Sequence, residues 1–314
     1  MTRDLASQVL KGEHRALAKA ISIVEAGGDP CRSLIRELYP RTGKAFTIGI
    51  TGPTGTGKST LVDKTIEEFR KRGRKVGVLA IDPSSAFTGG ALLGDRLRML
   101  GHSLEKDVFI RSMASRGDVG GLARAARNTM RVLDAAGMDI VIVETVGAGQ
   151  AEVEVASAVD ATVVVLMPQL GDEVQAFKAG FGEIGDVFVV NKADLANPSK
   201  TMFNIASGLR EKDGWRPPVL KTVALNGTGV PAFVDALVKF RLHLDNEGLR
   251  EKQFRGRIEE ELVEAAFSDF YSETVDRLKK GKEWSGLVSQ VVERKLDPET
   301  AALKLVRTIS KMER

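Results

Sequence analysis

Between Ala45 and about residue 223, short apolar runs alternate with amphipathic stretches. The runs are Phe46–Ile50, Val76–Ile81, Val108–Ile110, Ile140–Val143, Ala161–Met167, Val187–Val190 and Val219–Val223. Runs that are apolar at consecutive positions describe strands buried on both faces, and the stretches between them supply crossover helices. The pattern predicts an α/β fold, a mostly parallel sheet flanked by helices on both sides. In such sheets ligands sit beyond the carboxyl ends of the strands. The polar residues that terminate the runs are therefore where chemistry is expected.

The two ends read differently. Leu5, Val9, Leu17, Ile21 and Val24 recur at roughly helical spacing, and Gly27-Gly28-Asp29-Pro30 stops the pattern. A second helix is expected from Cys31 to Tyr39, before Pro40. Beyond about Asp245 strand signals cease. Residues 247–277 are charged and helix-favouring, with Leu249, Phe254, Ile258, Leu262 and Phe267 spaced through them. Lys279-Lys280-Gly281-Lys282 marks a break, and a helix follows Trp284. Asp297-Pro298-Glu299 has the form of an N-cap with proline at the first helical position, opening a last helix. The expected organisation is an N-terminal helical extension over 1–43, an α/β domain over 44–245 and a C-terminal helical arm over 246–314. The arm has little material for a core of its own, so it is expected to pack on the domain or on another subunit.

Composition narrows the picture. The chain has 314 residues, 43% apolar and 28% charged, as a globular protein does. The 46 Lys and Arg exceed the 42 Asp and Glu by four, too dispersed an excess to call for nucleic acid. One cysteine, Cys31, precludes an intrachain disulfide and fits a reducing compartment. With His14, His102 and His243 it cannot build a Cys/His-rich metal cluster. No apolar run reaches membrane-spanning length, and the acids in the first 41 residues do not suit a transit peptide. A cytoplasmic location is expected.

Gly52-Pro53-Thr54-Gly55-Thr56-Gly57-Lys58-Ser59 fits the Walker A pattern and lies between a predicted strand and a predicted helix, the context that the motif requires. Glycines let the backbone turn its N–H groups around phosphate oxygens, and the helix N-terminus adds positive potential. Lys58 is expected at the β- and γ-phosphates, the Ser59 hydroxyl on Mg²⁺ and Thr60 at the α-phosphate.

Strand Val187–Val190 runs into Asn191-Lys192-Ala193-Asp194, the Asn-Lys-x-Asp guanine signature. The Asp194 carboxylate can accept from guanine N1–H and its exocyclic amine. Adenine would set a lone pair against it, and an unpaired polar group discriminates strongly. Lys192 is expected to lay its stem over the base, and Asn191 to tie the loop down. The strand end Val223-Ala224-Leu225 is expected to add a backbone donor, from Ala224, to guanine O6.

Strand Ile140–Val143 ends in Glu144-Thr145-Val146-Gly147, where many GTPases have Asp-x-x-Gly. There the acid holds Mg²⁺ through water and the Gly147 amide meets the γ-phosphate. Asp82, ending another strand, and Asp95, in Gly94-Asp95-Arg96, are further carboxylates for Mg²⁺ or water. The alternatives are that Asp82 caps a turn and that Asp95 caps the helix Arg96–Leu100. Ala148 follows Gly147 where Ras-like GTPases carry a water-orienting Gln. Slow intrinsic hydrolysis, completed by a partner or second subunit, is the expectation. The loop Gly171-Asp172-Glu173-Val174-Gln175 is either a nucleotide sensor or a plain connector.

Taken together these residues resemble the MeaB/ArgK-type GTPases, the group that includes the human methylmalonic aciduria type A protein. The resemblance runs nearly end to end. It rests on Leu17-Ala18-Lys19-Ala20-Ile21, Pro40-Arg41-Thr42-Gly43, Ile48-Gly49-Ile50-Thr51-Gly52, Asp82-Pro83-Ser84-Ser85, Thr88-Gly89-Gly90, Leu93-Gly94-Asp95-Arg96, Glu144 to Gln150, Asn191 to Asp194 and Trp215-Arg216-Pro217-Pro218-Val219. It implies a SIMIBI-class G domain that uses GTP, GDP and Mg²⁺, with a helical N-terminal extension and a C-terminal dimerisation arm. It also implies a chaperone role for an adenosylcobalamin-dependent acyl-CoA mutase, most often methylmalonyl-CoA mutase, with residues 171–178 matching a switch segment that signals to the mutase. Departures are Pro53-Thr54, where the family often has Val-Pro, and Val223 in place of Ser.

Two other functions suit the residues less well. A nickel-type metallochaperone needs soft or imidazole ligands, which one cysteine and three scattered histidines hardly supply. A P-loop small-molecule kinase has no use for the guanine signature.

Overall fold

The computed structural model describes residues 2–82, 100–102, 105–114, 121–145, 157–168, 180, 182–195 and 197–312. Residues 1–250 form one compact unit and 251–314 a second.

The first unit is built on seven parallel strands: β1 (Phe46–Thr51), β2 (Val76–Asp82), β3 (Val108–Ala114), β4 (Ile140–Thr145), β5 (Ala161–Leu166), β6 (Val187–Val190) and β7 (Val219–Lys221). Their order is β3-β2-β4-β1-β5-β6-β7, with every pairing parallel. Each apolar run of the sequence is one of these strands. In β1, β4, β5 and β6 nearly every position is buried, as a central parallel strand between two helical layers requires. The edge strand β3 runs past the expected Ile110 to Ala114, through Arg111 and Ser112, because an edge position lets polar side chains leave the sheet.

Helices cover both faces. On one, α4 (Lys58–Lys71) and α7 (Val230–Asn246) pack Leu61, Ile66, Phe233 and Leu237 against Ile48, Ile50, Val78, Ile142 and Val163. On the other, α5 (Gly121–Ala135) joins three N-terminal helices, α1 (Thr2–Leu10), α2 (His14–Ala26) and α3 (Gly28–Leu38), over Leu79, Val141 and Val143. Helix α6 (Pro198–Gly208) closes a smaller cluster around Val164, Phe188 and Val190.

The N-terminal stretch thus forms three helices where the periodicity predicted two. Gly12, at φ +74°, interrupts the first pattern, and its amide donates to the Val9 carbonyl at 2.8 Å. Gly27, at φ +69°, ends α2, and Pro30 falls in the first turn of α3, where its missing N–H costs nothing. These helices share the core of the sheet. The Asp134 carboxylate on α5 accepts from the backbone amides of Gly43, Lys44 and Ala45 at 2.5, 3.2 and 2.9 Å, fixing the passage into β1. Arg111 of β3 reaches Glu25 of α2 at 2.7 Å, and His14 donates to the Lys106 carbonyl at 3.0 Å, so α2 guards the edge of the sheet.

The second unit consists of most of α8 (Leu249–Lys280), then α9 (Lys282–Val292) and α10 (Pro298–Met312). The break falls at Gly281, and the Thr300 amide donates to the Asp297 carboxylate at 2.8 Å in the expected cap. Val263, Phe267, Phe270 and Tyr271 on α8 are all more than half exposed, at 70, 69, 56 and 61%. Their spacing puts them along one side of the helix. Among the described residues no helix is long and apolar enough to cross a membrane.

One buried-edge acid stands out at the amino end of β6. Asp186 accepts from the Thr162 amide at 2.8 Å, and its carbonyl accepts from the Trp215 indole at 2.9 Å. Burial pushes its carboxyl up to about 7, against the opposing pull of the Thr162 hydrogen bond and Lys212. The folded chain therefore holds a proton that the unfolded chain releases near pH 4. Stability from this group falls as pH rises between those values. Asp186→Asn, which keeps the Thr162 acceptor, should gain melting temperature relative to the parent from pH 4 to 7, with the gap level above pH 8. A gap independent of pH in thermal melts would contradict this.

Candidate functional site

The strand β1 lies between β4 and β5, so the loop after Thr51 leaves from the middle of the sheet's carboxyl edge. That loop opens with Gly52, at φ +135°, where a Cβ would stand 2.1 Å from the Val165 carbonyl oxygen of β5. Only glycine lets the loop leave the sheet this close to a neighbouring backbone. The loop turns through Pro53–Gly57, with the Thr56 hydroxyl donating to the Pro53 carbonyl at 2.9 Å, and enters α4 at Lys58. Lys58 is buried and its ammonium donates to the carbonyls of Gly52 and Pro53 at 2.7 and 3.1 Å. The cation is thus held inside the curl of the loop. Thr60 sits half-buried in the first turn of α4.

Ser59, beside Lys58, donates its hydroxyl to the Glu144 carboxylate at 2.6 Å. The register pairs Glu144 with Ile50, placing the acid at the end of β4 alongside the loop. Glu144 is 4% exposed. A hydroxyl and a carboxylate are hard oxygen donors, the set that suits Mg²⁺. Asp82 ends β2, whose Ala80 pairs with Glu144, so the strand delivers Asp82 to the same edge. Asp95, Gly147, Ala148 and the 171–178 loop lie outside the described residues.

The guanine signature follows β6. The carboxamide of Asn191, 2% exposed, makes three bonds. Its Nδ2 donates to the Thr56 carbonyl at 2.8 Å. Its Oδ1 accepts from the Thr222 hydroxyl and from the Ala224 amide, each at 3.0 Å. One side chain thus joins the phosphate loop, its own loop and the end of β7. Gly57 makes room for it, since a Cβ there would lie 2.5 Å from Asn191 Nδ2. Lys192 takes a left-handed backbone, φ +54°, and its Cε lies near Gly57, so its stem runs back toward the phosphate loop. Asp194 is exposed, at the open side of the loop. The Ala193 amide donates to the Thr222 carbonyl at 3.0 Å, pinning the loop a second time.

Two points differ from the reading of the sequence. The Ala224 amide, expected to face guanine O6, is engaged by Asn191. Leu225, next in the short turn Ala224–Asn226, is 84% exposed. Sequence reasoning missed Thr222, although it is the one hydroxyl residue between Lys221 and Leu225. Its hydroxyl is one of the two donors that hold the Asn191 carbonyl oxygen.

A Walker A loop on the central strand, an acid on the adjacent strand and Asn-Lys-x-Asp on the same sheet edge define a P-loop GTPase of the SIMIBI type. Residues 17–279 match the family described as Methylmalonyl Co-A mutase-associated GTPase MeaB. The chain belongs to that family and hydrolyses GTP. A protein of Pyrococcus abyssi whose name designates a GTPase is 45% identical, over 98% of this chain and 97% of its own length. The GTPase ArgK of Escherichia coli is 36% identical over 82% of this chain and 84% of its own. The mouse Methylmalonic aciduria type A homolog, a mitochondrial protein, is 35% identical over 74% of this chain and 61% of its own. A solved structure of a LAO/AO transport system kinase superposes with a TM-score of 0.71 at 27% identity, covering 98% of this chain and 97% of that one.

Asn191→Ala removes three buried hydrogen bonds at once and leaves the Thr56 carbonyl without its donor. At about 1 kcal/mol for each bond, the loss should be roughly 2–3 kcal/mol of stability, read as a lower urea midpoint. Bound GTP should stabilise the variant less than it stabilises the parent. An unchanged midpoint would show that the carboxamide does not tie these loops.

Proposed function

We propose that this chain is a GTP-dependent chaperone of an adenosylcobalamin-dependent acyl-CoA mutase, methylmalonyl-CoA mutase being the first candidate. GTP binding and hydrolysis would gate cofactor loading and protect the mutase. The observation that carries the reading is the family match over 17–279, whose description associates the GTPase with that mutase. The name of the mouse relative points the same way. The expected site is Gly52–Thr60 around the phosphates, Lys58 and Ser59 chief among them, with Gly147 at the γ-phosphate. Asn191, Lys192, Asp194 and Val223–Leu225 would surround guanine. Ser59, Glu144, Asp82 and Asp95 would hold Mg²⁺ directly or through water, and bound Mg²⁺ would neutralise charge on the phosphates. Native mass spectrometry with the mutase encoded by the same genome should show a complex that changes between GDP and a non-hydrolysable GTP analogue. Association that ignores nucleotide, or none, would count against the role.

The base assignment has its own test. Asp194→Asn should move preference from GTP to XTP by at least an order of magnitude in competition binding, because a carboxamide N–H can pair with the xanthine oxygen that replaces the guanine amine. Unchanged GTP affinity would refute it. With Ala148 where a glutamine would orient water, turnover alone should stay far below tens per second.

The chain is proposed to act as a homodimer through residues 246–314, by way of the α8 stripe. Contiguous exposed apolar surface of this kind marks association sites. Phe267→Glu with Tyr271→Glu should yield a monomer in light scattering with GTP binding retained. An unaltered mass would exclude the stripe.

A further inference from the structure

A second group of ligating side chains lies away from the phosphate loop. Asp63 and Glu67 are one turn apart on α4 and project from one face. His102, 6% exposed, comes from the short turn Leu100–His102 that precedes β3. One ligand atom from each of the three lies within 4.8 Å of the others.

The histidine is set as a metal ligand would be. Its Nδ1 faces the Glu105 carboxylate at 2.6 Å, a contact that puts the proton of a neutral ring on Nδ1 and leaves the Nε2 lone pair to the other side. A carboxylate behind an imidazole is the usual outer partner of a metal-bound histidine, fixing its tautomer and orientation. On that other side Nε2 meets Asp63 Oδ1 at 3.3 Å. This is longer than an ordinary N–H···O bond of about 2.7–3.2 Å. It matches the separation, roughly 3.3 Å, of two tetrahedral ligands each about 2.0–2.1 Å from one ion. The two α4 carboxylates already draw a cation. The Lys64 ammonium contacts Glu67 and stands 3.5 Å from Asp63. Its side chain is a quarter exposed, so it can swing out to water.

We propose that Asp63, Glu67 and His102 form a binding site for a divalent ion of the zinc class, with Glu105 orienting the histidine and Lys64 as the displaceable competitor. One imidazole with two carboxylates selects zinc-like ions over magnesium, which separates this site from Ser59 and Glu144. Three protein ligands leave a fourth position for water. The ion would join α4, the helix that carries Lys58 and Ser59, to the turn that leads into β3. The site is independent of any mutase partner.

The test is zinc binding by the full chain after stripping with EDTA, followed by equilibrium dialysis against millimolar Mg²⁺ and metal analysis. The parent should retain one zinc per chain. Lys64→Met should bind more tightly, Glu105→Gln about ten- to a hundredfold more weakly, and His102→Gln should lose the ion. Circular dichroism would check that the His102 variant folds; if it does not, the opposite shifts of Lys64→Met and Glu105→Gln carry the test. No stoichiometric zinc in either the parent or Lys64→Met would overturn the proposal. So would equal binding by a folded His102→Gln, or unchanged affinity in both other variants.

Discussion

The nucleotide edge of this protein is organised around one buried carboxamide. Asn191 gives a hydrogen bond to the phosphate loop and takes two from the end of β7. A nucleotide spans some distance from phosphate to base, and the two loops proposed to hold those ends lie far apart in the domain sequence, after β1 and after β6. Their spacing is set by this side chain, by the glycine that admits it and by the parallel register of β1, β5 and β6. An amide suits the place because it offers a donor and an acceptor at once without a charge to desolvate. Aspartate would turn the Thr56 carbonyl against a carboxylate, and leucine would leave Thr222 and Ala224 unmet.

A second pairing governs the phosphate end. Ser59 and Glu144 arrive from a helix and a strand, and their 2.6 Å contact couples the start of α4 to β4. Lys58, by contrast, is held by its own loop. The loop therefore keeps its curl through internal bonds, while its position on the sheet is fixed by Gly52 and by the serine–glutamate contact. Shape and placement have separate origins here, and a substitution can disturb one and spare the other.

Much of this is legible in the chain. All seven strands announce themselves as apolar runs of three to seven residues, too short for helices and separated by amphipathic stretches. The pattern shortens β3 because Arg111 and Ser112 follow the apolar stretch, and an edge tolerates them. The break at Gly12 is hidden by apolar residues that continue in helical phase across it. The Walker A loop and guanine signature are plain because each is local. Contact between distant segments is not legible: Asn191 with Thr222, Asp134 with the amides of 43–45, His102 with Asp63. Those depend on where the fold brings β6 beside β7, α5 beside the passage into β1 and the turn before β3 beside α4, which no local pattern encodes.

The N-terminal helices have a standing that their position at the chain's start conceals. Leu17, Ile21, Leu34 and Leu38 lie on the same core as Leu79, Val141 and Val143 of the sheet. A GTP-binding fragment trimmed to begin at β1 would strip the outer cover from α5, the helix that packs on β2 and β4, the strands that deliver Asp82 and Glu144. The smallest heritable unit of nucleotide recognition in this protein is thus larger than the bare P-loop sheet. Exchange of modules between relatives would have to carry these helices along with the loops they steady.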